Sequence, residues 1–209
     1  MNEGISGLVS GSIATIISHP LDTLKTIHQN NSTGKNLNLK LIDFIKINRL
    51  YYGIKYPIFS GMILNGYFFG LHSKIHERYD NFFLSGAITG VFFAPLVNPF
   101  EVYKVRRQMN KKNNYKSVNL FRGIYATFPR EIIGCSVWFG SYNYFKQKEL
   151  NPVLTGALIG TLSWTCSYPI DVVKTRMQKS NNLSYLDAIK KGNLWSGYRY
   201  CISRTILFS

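Results

Sequence analysis

The chain has 209 residues, 45% hydrophobic and 15% aromatic, and carries a formal net charge of +15. One domain is the expectation at this length, and Cys135, Cys166 and Cys201 show no metal or redox spacing, so they read as small buried residues. The charge leaves three partners open, namely nucleic acid, an anionic membrane surface or an anionic small ligand, until its distribution is considered.

Residues 4–19 are apolar or small and end at Pro20. Residues 56–71 are aromatic and apolar with a few amides, 82–100 carry no charge, and 124–145 are apolar but interrupted by Arg130 and Glu131. Residues 152–170 again carry no charge, and a sixth apolar stretch runs from Tyr198 to Ser209. About 20 such residues cross a bilayer as a helix, so the reading is six helices, two per module. No cleavable leader pattern opens the chain, and targeting is expected to reside in internal segments.

The basic residues sort by side. Of 25 Lys and Arg, 19 fall in 25–55, 104–122 and 174–199, each following an odd-numbered helix. Positive residues collect on the side that is not translocated. A soluble nucleic-acid binder has no reason for that alternation, so nucleic acid is not expected as a partner. The loops at 30–36, 110–116 and 179–183 are rich in Asn and Lys and read as flexible connectors. They flank amphipathic pieces at 37–47 and 184–191, which are expected on the membrane surface near anionic head groups.

One pattern is written three times: Gly7…Gly11…Pro20…Asp22…Lys25…Gln29, Gly86…Gly90…Pro99…Glu101…Lys104…Gln108, and Gly156…Gly160…Pro169…Asp171…Lys174…Gln178. The offsets are identical in all three, and the copies start 79 and 70 residues apart. They divide a single domain into modules 1–80, 81–150 and 151–209. Glycines four apart let a neighbouring backbone approach closely, a main source of helix pairing in lipid. Pro20, Pro99 and Pro169 are expected to kink three helices inward at equal depth. An ion deep in a membrane is costly unless it is paired or faces water. The acids and lysines therefore pair either within each helix or as a ring between helices that shuts a path. Each pair, taken as near-surface, is worth about 0–1 kcal/mol.

These residues resemble the mitochondrial carrier family over the whole chain. The similarity extends to an aromatic-basic-Gly motif opening each second helix, read here as Tyr51-Tyr52-Gly53, Phe121-Arg122-Gly123 and Trp195-Ser196-Gly197, of which the second is complete. The second basic position of the proline motif is kept as Arg106 and Arg176 but is Ile27 in the first module. The resemblance implies an all-α membrane protein of six transmembrane helices in three pseudo-threefold-related modules around a central cavity. It implies a multi-pass protein of the mitochondrial inner membrane, with basic loops in the matrix and anionic lipid such as cardiolipin as a partner. It further implies a matrix gate of Asp22–Lys104, Glu101–Lys174 and Asp171–Lys25, braced by Gln29, Gln108 and Gln178.

Substrate contacts in that family fall seven and eight residues after the glycine of each second helix: Ser60 and Gly61, Arg130 and Glu131, Arg204 and Thr205. Two arginines and a glutamate suit a small charged metabolite moved by alternating access, of the amino-acid or related zwitterion type, such as carnitine or S-adenosylmethionine. Mutual neutralisation of Arg130 and Glu131 is the competing reading. The strong positive charge favours instead a nucleotide, deoxynucleotide or other phosphate-bearing anion. A carrier-like membrane protein that does not transport is the remaining alternative. Neither a cofactor nor a metal is expected, and the protein does not read as an enzyme, because no nucleophile–base pair or phosphate-cradling loop is present and His19, His28, His72 and His76 show no ligand pattern.

Two departures stand out. The outer gate is degraded to His72-Ser73…His76 and Tyr142-Asn143…Lys146. From Gly197 to Ser209 only 13 residues remain, about 20 Å of helix against a core of about 30 Å. The sixth helix therefore reads as truncated, and the resting state is expected to be open toward the intermembrane space.

Overall fold

A computed structural model describes residues 2–30, 51, 54–109, 119–148, 151–180 and 182–207. These residues are all-helical, without strands. The helices are α1 (Asn2–Asn30), α2 (Lys55–His76), α3 (Phe82–Gln108), α4 (Ile124–Lys146), α5 (Pro152–Lys179), α6 (Tyr185–Lys190) and α7 (Tyr198–Leu207). The expected surface segment at 37–47 lies outside the described residues. The one at 184–191 is the short α6, with Ala188 buried against Val173 and Met177 of α5.

The ends are set by local chemistry. The Asn81 side chain accepts hydrogen bonds from the Phe83 and Leu84 amides at 3.0 and 3.1 Å, capping α3. Asn151 does the same for the Val153 amide at 3.0 Å, with Pro152 at the first helical position of α5. Gly123 and Gly197 precede α4 and α7 with φ of +82°, a left-handed conformation that glycine adopts without strain. Pro20, Pro99 and Pro169 lie inside α1, α3 and α5, as do Pro95 in α3 and Pro129 in α4.

Each long helix packs on its neighbour in the chain, and α7 closes the set by packing on both α5 and α1. The helices α1, α3 and α5 also touch one another, so they converge. Among the described residues only α3 is long and apolar enough to cross a membrane by composition. In α1 and α5 the charges and hydroxyls that lower mean hydropathy are buried within the protein: Asp22, Lys25, Ser18 and Thr23 in α1, Asp171, Lys174, Ser163 and Ser167 in α5.

Three of the repeated glycines hold helices close. A Cβ on Gly90 would lie 2.6 Å from the Glu131 carbonyl oxygen, and one on Gly86 2.6 Å from that of Cys135, so α3 and α4 meet backbone to backbone. Gly160 accommodates the Thr205 methyl group of α7. Gly90→Ala is therefore expected to destabilise the protein by about 1–3 kcal/mol, read as a lower Tm in detergent. Gly70→Ala in α2, where a Cβ meets nothing within 4 Å, should leave Tm unchanged or raised. Cys135 and Cys201 are buried as expected, but Cys166 is exposed: it lies on the outward side of α5, away from the packed faces of that helix.

Candidate functional site

Six ionic side chains meet where α1, α3 and α5 converge. In each helix the acid follows proline by two residues and the lysine lies one turn further on, on the same face. The lysines reach across rather than along their own helices. Lys104 Nζ is 2.7 Å from Asp22 Oδ2, Lys25 Nζ is 2.8 Å from Asp171 Oδ2, and Lys174 pairs with Glu101. The ring thus runs in one sense, α3 to α1, α1 to α5 and α5 to α3. Of the two arrangements left open by the sequence, the pairs between helices are the ones formed.

Four of these six ions are buried, not near-surface. Asp22, Lys25, Asp171 and Lys174 are 1–7% exposed, while the Glu101 and Lys104 side chains keep 27% and 21% of their surface. Burial changes their energetics. A buried pair adds little net stability because desolvation offsets attraction, but deleting one partner strands the other and costs about 3–5 kcal/mol.

The glutamines differ among themselves. Gln29 Nε2 donates to Asp171 Oδ2 at 2.8 Å, the oxygen that also takes Lys25. Gln108 instead bonds α1, donating to Thr23 Oγ1 at 3.1 Å and accepting from Thr26 Oγ1 at 2.9 Å. Gln178 donates to Asn98 Oδ1 at 3.3 Å. One glutamine braces an ion pair; the other two cross-link helices, because hydroxyl and amide partners lie nearer to them than the carboxylates do.

The second helices add three further ions. Arg130 Nη1 is 2.5 Å from Glu131 Oε1, and Glu131, 2% exposed, also lies 3.4 Å from Lys174 Nζ. Arg130 Nε is 3.7 Å from Asp171 Oδ1, and Arg204 Nε is 3.0 Å from Asp22 Oδ1. Arg130 and Arg204 line a cavity of about 220 Å³ together with the six residues of the ring, Pro57 of α2 and Trp164 of α5. Arg130 is thus neutralised by Glu131 and at the cavity wall at once. Thr205 is placed elsewhere: its hydroxyl donates to the Cys201 carbonyl at 2.9 Å and its methyl packs on Gly160. Gly61 is half-buried in α2, and the Ser60 side chain lies outside the described residues.

Sequence reasoning missed Trp164. Two cations approach its ring, Lys25 with Nζ 4.0 Å from the centroid and Arg130 with Cζ 4.5 Å away. The available signal was its spacing, two helical turns before Asp171 on one face. Also missed were the residues preceding the prolines: His19, Asn98 and Tyr168 are all fully buried. Asn98 Nδ2 donates to the Leu120 carbonyl at 2.7 Å, the Tyr168 hydroxyl donates to the Ser196 carbonyl at 2.8 Å, and His19 stacks on Tyr51 at 6.0 Å. Each of these ties the entrance of a second helix to the first helix of its module.

Arginines at the ends of the first helices act as clamps. Arg106 Nε donates to the Gln178 carbonyl at 3.1 Å and Arg176 Nε to the Gln29 carbonyl at 3.0 Å, each closing the C-terminus of another helix. Arg122 donates to the Ser180 carbonyl at 2.9 Å, and Ser196 Oγ to the His28 carbonyl at 2.7 Å. Ile27, at the corresponding position of the first module, is fully buried and makes no such bond. At the opposite end, His72 stacks on Phe139 at 3.4 Å and its Nε2 is 3.1 Å from Ser85 Oγ. Among the described residues no ion pair forms at that end, and no group of three metal-ligating side chains is present.

The family model described as mitochondrial carrier protein matches residues 1–82 and 147–206. Among similar proteins, the mitochondrial arginine transporter BAC2 of Arabidopsis thaliana is 26% identical over 93% of this chain and 77% of its own length. The mitochondrial basic amino acids transporter of Homo sapiens is 26% identical over 83% of this chain and 70% of its own. The mitochondrial 2-oxodicarboxylate carrier 2 of Saccharomyces cerevisiae is 27% identical over 90% and 77%.

Proposed function

The chain belongs to the mitochondrial carrier family, whose members are transporters rather than enzymes, and on that premise we propose that it moves a small zwitterion of the amino-acid type across the mitochondrial inner membrane. The observation that carries this reading is the composition of one cavity. Arg130 and Arg204 face it, Glu131 adjoins Arg130, and two cations approach the Trp164 ring. A ligand carboxylate pairs with an arginine there. A ligand cation takes Glu131 and the indole face, in place of Arg130 and Lys25.

Six spans in three modules, alternating access and a matrix gate belong to the same proposal. The interhelical pairs are its shut matrix end, and the stretch around His72, without ion pairs, is its outer end. In the resting state the cavity faces the intermembrane space. The arginine and basic amino acid transporters among the similar proteins support a cationic amino acid as cargo. A nucleotide fits less well. The volume of about 220 Å³ is below the roughly 300–1,000 Å³ of sites for drug-sized ligands, and four carboxylates stand in or beside it. A relic that does not transport has no use for three formed ion pairs over an open cavity.

The test is uptake into liposomes by the purified protein, screened against basic and neutral amino acids, carnitine, S-adenosylmethionine and nucleotides. Uptake of a basic amino acid is the expected result. Uptake of nucleotides alone, or of nothing by a folded protein, refutes the reading.

A further inference from the structure

At the end away from the ring, an aromatic contact joins two modules. His72 of α2, in the first module, lies face to face with Phe139 of α4, in the second, with an interplanar angle of 3°. Both are buried, at 7% and 5% exposure. Phe68 of α2 adds to the stack, 5.1 Å from Phe139 and 4.9 Å from Phe93 of α3. The His76 ring lies 3.9 Å from that of Phe82 of α3. Between α3 and α4, Ser136 Oγ donates to the Phe83 carbonyl at 2.9 Å, and the Phe83 ring covers Gly140. Three helices from two modules are thus packed as one block at this end.

The third module meets that block more loosely. Val153, Leu154 and Leu158 of α5 are exposed. Among the described residues the first hydrogen bond from α5 to α4 comes at Ser163, which donates to the Gly134 carbonyl at 2.8 Å. A Cβ on Gly134 would lie 3.7 Å from its nearest neighbour, Ser163 Oγ, against 2.6 Å at the Gly86 and Gly90 contacts of α3 with α4. Within the third module the two helices hold together, through Thr205 on Gly160 and through Thr165 Oγ1, 2.6 Å from the Tyr198 hydroxyl.

We propose that α2, α3 and α4 move as one rigid body at the outer end, and that the outer mouth closes when α5 and α7 swing against it. This rests on the alternating-access reading above. Stacked rings attract beyond the burial of their area, and backbone-to-backbone packing leaves no room to slide. Motion therefore concentrates at the looser seam, between α4 and α5. One gap is left to close at this end instead of three. Two modules already joined need no ionic latch between them, which accounts for His72 and Asn143 at positions where the carrier motif has an aromatic residue and an acid. His72 and Phe139 act as positioning residues and touch no ligand.

The test is pulsed electron resonance between nitroxide labels at three exposed outer positions. Ser73→Cys in α2, Lys146→Cys in α4 and Val153→Cys in α5 are labelled two at a time, in a Cys166→Ser background, in liposomes without substrate. Asp22→Asn, which breaks the ring at the far end, supplies the second state. The Ser73–Lys146 distance should stay within about 1 Å between the two states, while the Lys146–Val153 distance should change by more than about 2 Å, the scale of domain rearrangement. Phe139→Ala, or His72→Ala where that variant does not fold, should broaden the Ser73–Lys146 distribution of the parent. Equal changes in both distances, no change between Lys146 and Val153, or a Ser73–Lys146 distribution indifferent to loss of the stack overturns the proposal. A parent that carries no solute refutes the transport reading alone, because the distances are read without substrate.

Discussion

Asp171→Asn should abolish transport while leaving the protein inserted. Asp171 accepts from Lys25 and Gln29, both at 2.8 Å, and faces Arg130 at 3.7 Å. The amide removes the charge and keeps the shape, so buried Lys25 loses its counter-ion and Arg130 keeps only Glu131. Stranding a buried ion costs about 3–5 kcal/mol. Much of that cost falls on the closed arrangement, because Lys25 and Arg130 reach water once the ring parts. The expected outcome is a lower Tm in detergent, loss of uptake in liposomes, and faster matrix-side labelling of a cavity thiol. Asp187→Asn, on the exposed face of the short α6, is the control that should change none of these.

Glu131→Gln is expected to have the second largest effect, through the site rather than the ring. Glu131 is 2% exposed and its Oε1 serves both Arg130, at 2.5 Å, and Lys174, at 3.4 Å. Without its charge no carboxylate beyond those of the ring stands beside the cavity for a cationic ligand group. Removing one member of a buried, hydrogen-bonded charge pair costs about 2–5 kcal/mol, so uptake of a basic amino acid should fall by at least about 30-fold. Uptake of a neutral amino acid should fall less, because its carboxylate still meets Arg130 and Arg204. Equal losses for both substrates would mean that Glu131 only positions Arg130.

The parts of this architecture that were legible in the sequence are those that repeat. Offsets shared by three copies expose the acid, the lysine and the glutamine, since chance does not reproduce such spacing. The close approach of α3 and α4 was legible in Gly86 and Gly90, because a missing side chain has one physical use in a packed helix. The helix starting at Tyr198 followed from Gly197, and residues 124–145 became α4 despite Arg130 and Glu131, since those two charges turn inward.

What the sequence hid depends on which neighbour lies nearest in space. Gln108 and Gln178 occupy the same motif position as Gln29, yet they bond Thr23, Thr26 and Asn98, because hydroxyls and an amide happen to face them. Thr205 sits at a contact position by count but fills the space over Gly160. Trp164 lies in an uncharged stretch and looked like one more apolar residue; only the placement of Lys25 and Arg130 against its ring makes it part of the site. The ring energies were likewise underestimated from spacing, since burial is a property of the assembled helices.

The account depends most on closure of the matrix end by the three pairs while the cavity faces the other way. Side-specific labelling of Val97→Cys, a cavity-lining position on α3, with the exposed Cys166 replaced by Ser, tests it most directly, in liposomes of known orientation and with no substrate added. An impermeant maleimide should react much faster from the intermembrane-space face than from the matrix face, and Asp22→Asn should remove that difference. Faster reaction from the matrix face in the parent protein would contradict the account.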